Sequence, residues 1–344
     1  MSANRKESVT LLVPTVASRA DLFRRVLIHF EFYQYTGPIV VSDHSAVDDR
    51  HILAKVAADF PTLNLTIRHH DPDLPFLERL ADCADSVATP YTALHADDDF
   101  MHFGALASCT DFLDANPDYV ACKGRMAFFR IKNNDLKVNG HRGRTRDEAN
   151  VFTRLTRHLG SFTATLYAVH RREQFIESCR RTLAVTQNVI FWQYLSSCIT
   201  IVQGKLKTLN ELFYLRQQNT TGWQQSLIND RDPEHWPYLV TSPDFSRYMN
   251  EFRLGLLAVL AEKAGSQPNG FATSYEDALV WLVRHGIAKQ QMEAPEKQEE
   301  ALYERFADAS TPEARFLGTC VATAAEPDRV RAQSRREPET EPAT

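Results

Sequence analysis

The first hundred residues alternate between short apolar runs and helical patterns, and this alternation constrains the fold more than any other feature of the chain. Val9 to Val13 reads as a strand, followed by a turn with Pro14, Thr15 and Ser18. Ser18 with Asp21 three residues on is a helix-start signature. Leu22, Phe23, Val26, Leu27 and Phe30 then share one helical face, and Gly37 ends the helix. Ile39 to Ser42 is a second strand, Arg50 to Phe60 a second helix and Leu63 to Ile67 a third strand. A third helix starts at Pro75 with Phe76, Leu80, Cys83, Ala84 and Val87 inward, and a fourth strand, Tyr91 to His95, runs into Asp97, Asp98 and Asp99. Four strands alternating with three helices predict an α/β fold, a mixed and mostly parallel sheet with flanking helices. Ligands of such sheets gather at the carboxyl ends of the strands.

Polar residues fall at those ends: Thr15 and Arg19 after the first strand, Asp43 and Ser45 after the second, and the three aspartates after the fourth. Adjacent carboxylates repel one another, and an interior site drives one of them neutral unless a cation is present. A hard divalent ion, Mn2+ or Mg2+, resolves that conflict, and magnesium binds through one or two carboxylates together with substrate phosphates. The plainer alternative is a solvated acidic turn ahead of a helix that begins near Phe103.

The chain resembles bacterial family-2-like glycosyltransferases of the A-type, nucleotide-diphosphate-sugar-dependent fold, in the group that carries DDD. The resemblance covers residues 9 to about 222 and rests on VTLLVPTVASR, VVSDHS, TPYTALHADDDF, DFLDANPDYVACKGRMAFF and GKLKTLNELFYLRQQN, in that order. It implies a Rossmann-like catalytic domain in which Pro14, Thr15 and Arg19 border the nucleotide, with Asp43 on the base or ribose and Ser45 beside it. It further implies that Asp97 approaches the ribose, that Asp98 lines the nucleotide-sugar site, and that Asp99, with Asp97, holds Mn2+ or Mg2+ on the diphosphate. Arg79 would help from the diphosphate side; its alternative is a solvated arginine on an amphipathic helix. Arg216, Gln217 and Asn219 stand where a last metal ligand usually comes. His158, Ser161, Thr163, Tyr167 and His170 fall on the acceptor side, with His170 otherwise a polar cap before a helix near Arg171.

One departure concerns catalysis. Inverting members place an acid shortly before a hydrophobic helix to take the acceptor's proton. Here that stretch reads AVTQNVIFWQYLSS, with the amides Gln187 and Asn188 at the expected positions. Glu211 and Glu173 are the nearest acidic substitutes, and Glu211 joins Asp97 and Asp99 as a candidate catalytic residue. The stereochemistry stays open.

Residues 123–146 gather Lys123, Arg125, Arg130, Lys132, Lys137, Arg142, Arg144 and Arg146 around a single acid, Asp135, with NND and NGHRG reading as turns. This segment is either an exposed, mobile hairpin or a contact for phosphate on the donor or on an anionic acceptor.

The formal charge of −5 gives no broad basic field, and aromatic residues are not interleaved with the cations, so nucleic acid is not expected as a partner. Six scattered cysteines without a CxxC pair argue for reduced thiols in a cytoplasmic protein. No apolar run reaches the length of a membrane span, and contact with the inner face of the membrane and homo-oligomerisation stay open. The expected organisation is a catalytic domain over 1–240, a helical region over 241–325 and a disordered tail over 326–344. Helices are expected over Phe245 to Ala264, Tyr275 to Ile287 and Lys297 to Ala309. The function expected is metal-dependent transfer of a sugar from a nucleotide-diphosphate donor to a hydroxyl of a glycan, lipid-linked or protein acceptor. Two rivals remain: a sugar nucleotidyltransferase, whose glycine-rich first turn VPTVASR lacks, and a non-catalytic nucleotide-sugar-binding protein of the same fold.

Overall fold

The structure, a computed structural model, describes residues 8–132, 135–141, 143–186, 188–217, 242–264, 267–291 and 305–334. Its centre is a nine-stranded sheet built from β1 (Val9–Thr15), β2 (Ile39–Asp43), β3 (Leu65–His69), β4 (Tyr91–Leu94), β5 (Phe100–Met101), β6 (Tyr119–Lys132), β7 (Asp135–His141), β8 (Val169–Arg171) and β9 (Lys205–Gln217). Strand order is β3-β2-β1-β4-β8-β6-β9-β5, with β7 on the far side of β6. Six strands run parallel, while β5, β7 and β8 oppose them.

Eleven helices are described in full: α1 (Ala20–Phe32), α2 (Arg50–Ala58), α3 (Phe76–Asp85), α4 (Phe103–Ala115), α5 (Val151–Leu159), α6 (Arg172–Val185), α7 (Val189–Gln203), α8 (Phe245–Ala264), α9 (Phe271–Gln291), α10 (Pro312–Ala325) and α11 (Pro327–Ser334). The central strands are apolar throughout because both faces are covered. Leu11, Val13, Ile39, Val41 and Ala93 pack with α1 and α4, whereas Leu12, Val40 and Leu94 pack with α3 and α6. The chain winds outward from β1 to β3 and returns to β4 on the other side of β1, which puts the switch point of the sheet, where a ligand crevice of such folds falls, at the carboxyl ends of β1 and β4.

Several boundaries differ from the sequence expectation. β1 runs on through Pro14 and Thr15. The Leu12 carbonyl faces β4, where it accepts from the His95 N–H, and by the two-residue repeat Pro14 also faces that side, beyond the last β4 residue in register. A missing N–H therefore costs no ladder bond there. Ser18 lies inside a 3-10 turn (Ala17–Arg19), so Arg19 precedes α1 and no side chain caps that helix. α1 ends before Gly37, through Gln34 at φ 49°: Gln34 N–H donates to Glu31 O and Tyr35 N–H to Phe30 O, a left-handed cap closed by the Phe30–Tyr35 ring contact. β3 starts two residues late because Leu63 plugs the core from a turn, its N–H bonded to Phe60 O.

The basic segment is not an exposed hairpin throughout. Lys123, Arg125 and Arg146 are buried and hold backbone or amide oxygens: Lys123 Nζ donates to Ala164 O (2.7 Å), Arg125 to Asn210 Oδ1, and Arg146 to Ser161 O. NGHRG is strand as far as His141; Arg142 lies outside the described residues. His170 sits within β8, not at a cap. Residues 327–334 of the expected disordered tail form α11, whose Val330 joins the core and whose Arg331 donates to Glu31 (2.9 Å).

Apolar contacts cross the expected boundary at residue 240. α8 and α9 share a cluster with α5 and α7, and Phe316, Leu317 and Cys320 of α10 pack on Phe100, Phe129 and Leu215 of the sheet. Phe245–Ala264 matches expectation, and the next helix is longer at both ends. Of 297–309, residues 305–307 form a helical turn and 297–304 lie outside the described residues. All six cysteines are buried and unpaired.

Candidate active site

The crevice between β1 and β4 is built on Asp97. Thr15, the last residue of β1, donates from Oγ1 to Asp97 Oδ2 at 2.7 Å. Arg19 donates from Nε to Asp97 Oδ2 (2.8 Å) and from Nη2 to Oδ1 (2.7 Å), and again from Nη2 to Asp98 Oδ2 (3.0 Å). The hydrogen bond to Asp97 and the charges of Asp97 and Asp98 outweigh burial and raise the Arg19 pKa. Beneath them the buried Arg25 of α1 donates to Asp98 O (2.9 Å), its guanidinium over the Phe100 ring. Tyr214 of β9 accepts the Ala96 N–H at its hydroxyl (3.0 Å), so the aspartate loop is pinned from both sides.

Asp99 differs from its neighbours. It is 1% exposed, and its Oδ1 accepts the Gln217 N–H at 3.1 Å. Oδ2 lies 3.3 Å from Arg216 Nε and has no hydrogen bond. Burial pushes its pKa up to about 7, against the pull of Arg216. The same arginine rests on the Tyr167 ring (5.2 Å), and burial raises the Tyr167 pKa to about 12.

The second strand end is a closed network. Asp43 Oδ1 accepts from the Ser45 N–H (2.8 Å) and from the Ser45 hydroxyl, while Oδ2 pairs with His69 Nδ1 (2.8 Å). Ser45 Oγ in turn accepts the Ala17 N–H (2.7 Å), tying the loops after β1 and β2 together. Pro14 stands beside Ser42 in register, at the rim. Arg79 is buried, not solvated: Nε donates to Leu74 O (3.1 Å), Nη1 has no partner, and the guanidinium lies over Phe76 (5.6 Å). Burial lowers its pKa to about 10, and its charge reaches His44, whose pKa falls to about 4 chiefly through burial.

Thr15, Arg19, Asp97 and Asp98 thus meet directly, Asp99 joins them through the loop, and Asp43 and Ser45 line the adjoining strand end. Glu211 does not meet them. It is exposed on β9, six residues before Gln217, which is about 20 Å of extended chain. Glu173 is paired with Arg172 on α6. Asn188 is buried and caps α7, its Oδ1 accepting the Phe191 N–H (3.2 Å); Gln187 and Asn219 lie outside the described residues. His158 and His170 are fully buried, and burial lowers both pKa values, that of His170 to about 4. The sequence reading missed His69, Arg25 and Tyr214. His69 obeys the strand-end rule that selected Asp43, and it was hidden by the two-residue error in β3.

The residues fit a divalent cation through one carboxylate. Among the described residues Asp99 Oδ2 is a buried acceptor with no hydrogen bond, its charge faced only by the Arg216 guanidinium at 3.3 Å, whereas both oxygens of Asp97 already accept from Arg19 and Thr15. Among the described residues, no group of three or more His, Cys, Asp or Glu is arranged to hold a metal by itself. A cation there would need oxygen ligands from a substrate.

No protein-family model and no curated protein matches the chain. Solved structures do match its fold. TarS of S. aureus aligns with a TM-score of 0.51 at 13% identity, over 97% of this chain and 56% of TarS, so the chain spans just over half of that protein. TarS 1–349 in complex with UDP-GlcNAc aligns with a TM-score of 0.51 at 12% identity, over 95% of this chain and 90% of the other. A mannosyltransferase, PcManGT from Pyrobaculum calidifontis in complex with GDP-Man and Mn2+, aligns more loosely, with a TM-score of 0.46 at 16% identity. The architecture is the Rossmann-like A-type glycosyltransferase fold with a helical C-terminal region, as the sequence led us to expect. Among the described residues no helix is long and apolar enough to cross a membrane.

Proposed function

We propose that the chain is a metal-dependent glycosyltransferase that moves a sugar from a nucleotide-diphosphate donor to a hydroxyl of a glycan, lipid-linked or protein acceptor. The observation that carries this reading is Asp99, a buried carboxylate with one oxygen lacking a hydrogen bond, at the strand-end crevice beside an Asp97 held rigid by Arg19 and Thr15. Mn2+ or Mg2+ held by Asp99 would supply electrophilic stabilisation to a diphosphate as it leaves with negative charge. Arg19 and Thr15 orient Asp97 toward the donor. Asp43, buried and fixed by Ser45 and His69, would meet the base or ribose only by exchanging one of those partners, and Arg79 adds positive charge near His44. The UDP-GlcNAc complex of TarS 1–349, whose fold is similar, supports a nucleotide sugar as ligand.

The test is a thermal-shift screen against UDP, GDP, CDP, CMP and common nucleotide sugars with and without manganese, since a ligand of the native state raises the melting temperature. One nucleotide should shift the wild type in a manganese-dependent manner and leave Asp99→Ala unshifted. No shift with any nucleotide overturns the reading.

A non-catalytic nucleotide-sugar-binding protein is favoured by one observation: Asn188 is an amide engaged as a helix cap where a base is expected. Nucleotide release during incubation with donor separates the two, because a binding protein releases none.

A further inference from the structure

The second half of α8 is fixed to α6 at three points. Arg181 Nη1 and Nη2 donate to the two carboxylate oxygens of Glu262, both at 2.7 Å, and Arg181 Nε donates to Glu177 (2.8 Å), which Lys263 also approaches (3.5 Å). Two turns back along α8, Gly255 lies so close to Val185 that a Cβ added there would stand 2.4 Å from Val185 Cγ1. Beyond that contact, toward the start of α8, the helices part. A cavity of about 560 Å³ opens between the first turns of α8 and the segment joining α6 to α7.

Its lining is mixed in a telling way. Leu183 and Val185 give an aliphatic strip, and Thr186 and Asn188 give a hydroxyl and an amide. Opposite them, Arg247, Tyr248 and Glu251 give an aromatic ring and two planar charged groups. Arg247 lies 4.3 Å over the Tyr248 ring and pairs with Glu251 (3.1 Å) and Asp244 (3.2 Å). With its cation matched by carboxylates, the cleft holds no surplus positive charge for a polyanion. It carries too many polar groups for a purely apolar ligand. Because Arg247 lies on the Tyr248 ring, the cleft presents that stacked pair, an aliphatic strip and several donors and acceptors, which suit a molecule with both C–H faces and hydroxyls.

The cleft shares the catalytic end of the molecule. β8 opposes β4, so α6 returns from the far edge and ends, at Val185, on the side where β1 and β4 end. One turn into α7, Trp192 stacks on Phe76 at 5.4 Å, and Phe76 lies under Arg79. The start of α7, next to the cleft, is thereby tied to the first turn of α3, which carries Arg79.

We propose that this cleft binds a sugar or polyol unit of the acceptor, held between the Arg247–Tyr248 pair with Glu251 on one side and Leu183, Val185, Thr186 and Asn188 on the other. The word acceptor rests on the transferase reading; hydroxyl-rich ligand binding at this cleft does not. The test uses saturation-transfer NMR with glucose, N-acetylglucosamine, maltose and sorbitol on the full chain, with the UDP and manganese thermal shift measured on the same samples. At least one probe should bind the wild type, and its affinity should fall about tenfold or more in Leu183→Trp, which fills the cleft, and in Glu251→Gln. The UDP shift should not change in either variant. Should Leu183→Trp fail to melt cooperatively, Glu251→Gln and Arg247→Gln, on the first turns of α8, decide. Binding that persists in these variants, or no binding of any probe to the wild type, overturns the proposal. Absence of a wild-type shift with every nucleotide of the screen, sugar binding being retained, overturns the donor reading and leaves the cleft standing.

Discussion

Arg19 grips Asp97 with two donors, Nη2 2.7 Å from Oδ1 and Nε 2.8 Å from Oδ2, and the same Nη2 reaches Asp98 Oδ2 at 3.0 Å. One planar guanidinium thus sets the conformation of two of the three aspartates. A lysine keeps the charge and loses the fork, so it cannot hold both carboxylates in this geometry. Arg19→Lys should lower stability by about 1.5–3 kcal/mol, the range for hydrogen bonds to charged groups. It should also weaken the nucleotide-induced thermal shift. Urea denaturation and the thermal shift measure the two effects, and an Arg19→Lys protein with wild-type values in both would show that the grip is incidental.

Asp99 gives a pH signature. Its pKa is raised to about 7 by burial, above the ordinary carboxylate value, so the ligand-free native state binds a proton that the unfolded chain releases. This contribution favours folding below about pH 4 and is lost as pH rises toward 7. His95 acts in the opposite direction. Burial lowers its pKa to about 4, so its contribution is complete above about pH 6.5 and is lost as pH falls toward 4. The two separate in a difference experiment, since His95 is common to both proteins. Asp99→Asn should gain stability over the wild type between pH 4 and 7, by an amount approaching about 4 kcal/mol, when both are unfolded in urea across that range. A constant difference would mean that Asp99 is charged throughout.

The strand-end site was legible because apolar runs and the carboxyl-end rule are local. Thr15, Arg19, Asp43 and the aspartates all come from that reasoning, and the structure brings them to one end of the sheet. What was lost was lost to burial, which a charge pattern does not reveal. Lys123, Arg125 and Arg146 look like a solvated basic run, yet each is buried with its head group on an oxygen supplied by a distant loop or strand. Arg79, whose plainer alternative was a solvated arginine, is buried in the same way. His69 was lost because Leu63 is apolar for a loop's reason, and a periodic pattern cannot tell a plug from a strand residue. The cleft at α8 could not be foreseen, since it depends on how closely Gly255 lets one helix approach another.

Gln34 closes α1 in a left-handed conformation, φ 49°, a region that glycine occupies without steric cost. The two backbone bonds of the cap do not need its side chain, so Gln34→Gly keeps them. Relief of backbone strain works against the extra freedom of glycine in the unfolded chain, and at a helix-ending position of this type the relief wins. Gln34→Gly should stabilise the protein by about 0.5–1 kcal/mol in urea denaturation. A destabilised variant would show that the glutamine side chain makes contacts worth more than the strain.

α11 reads as a polar tail, PDRVRAQS, because it carries a single large apolar residue. That residue, Val330, is buried in the main core beside α1. Arg331 adds three contacts: Nε donates to Glu31 at 2.9 Å, Nη2 donates to Asp59 O, and the guanidinium lies 3.9 Å over the Phe60 ring. The helix is therefore anchored by one apolar side chain and one cation, with the remainder of its surface solvated. Ending the chain after Glu326 removes both anchors and uncovers Glu31 and Phe60. Burial of one valine and a stacked, ion-paired arginine amount together to about 3 kcal/mol. The truncated protein should lose about that much in urea denaturation, and Arg331→Ala should lose about half. Nucleotide binding at the far end of the sheet should persist in both at temperatures where they stay folded. If truncation leaves the unfolding midpoint unchanged, α11 contributes nothing to the fold and the disordered tail read from the sequence is restored.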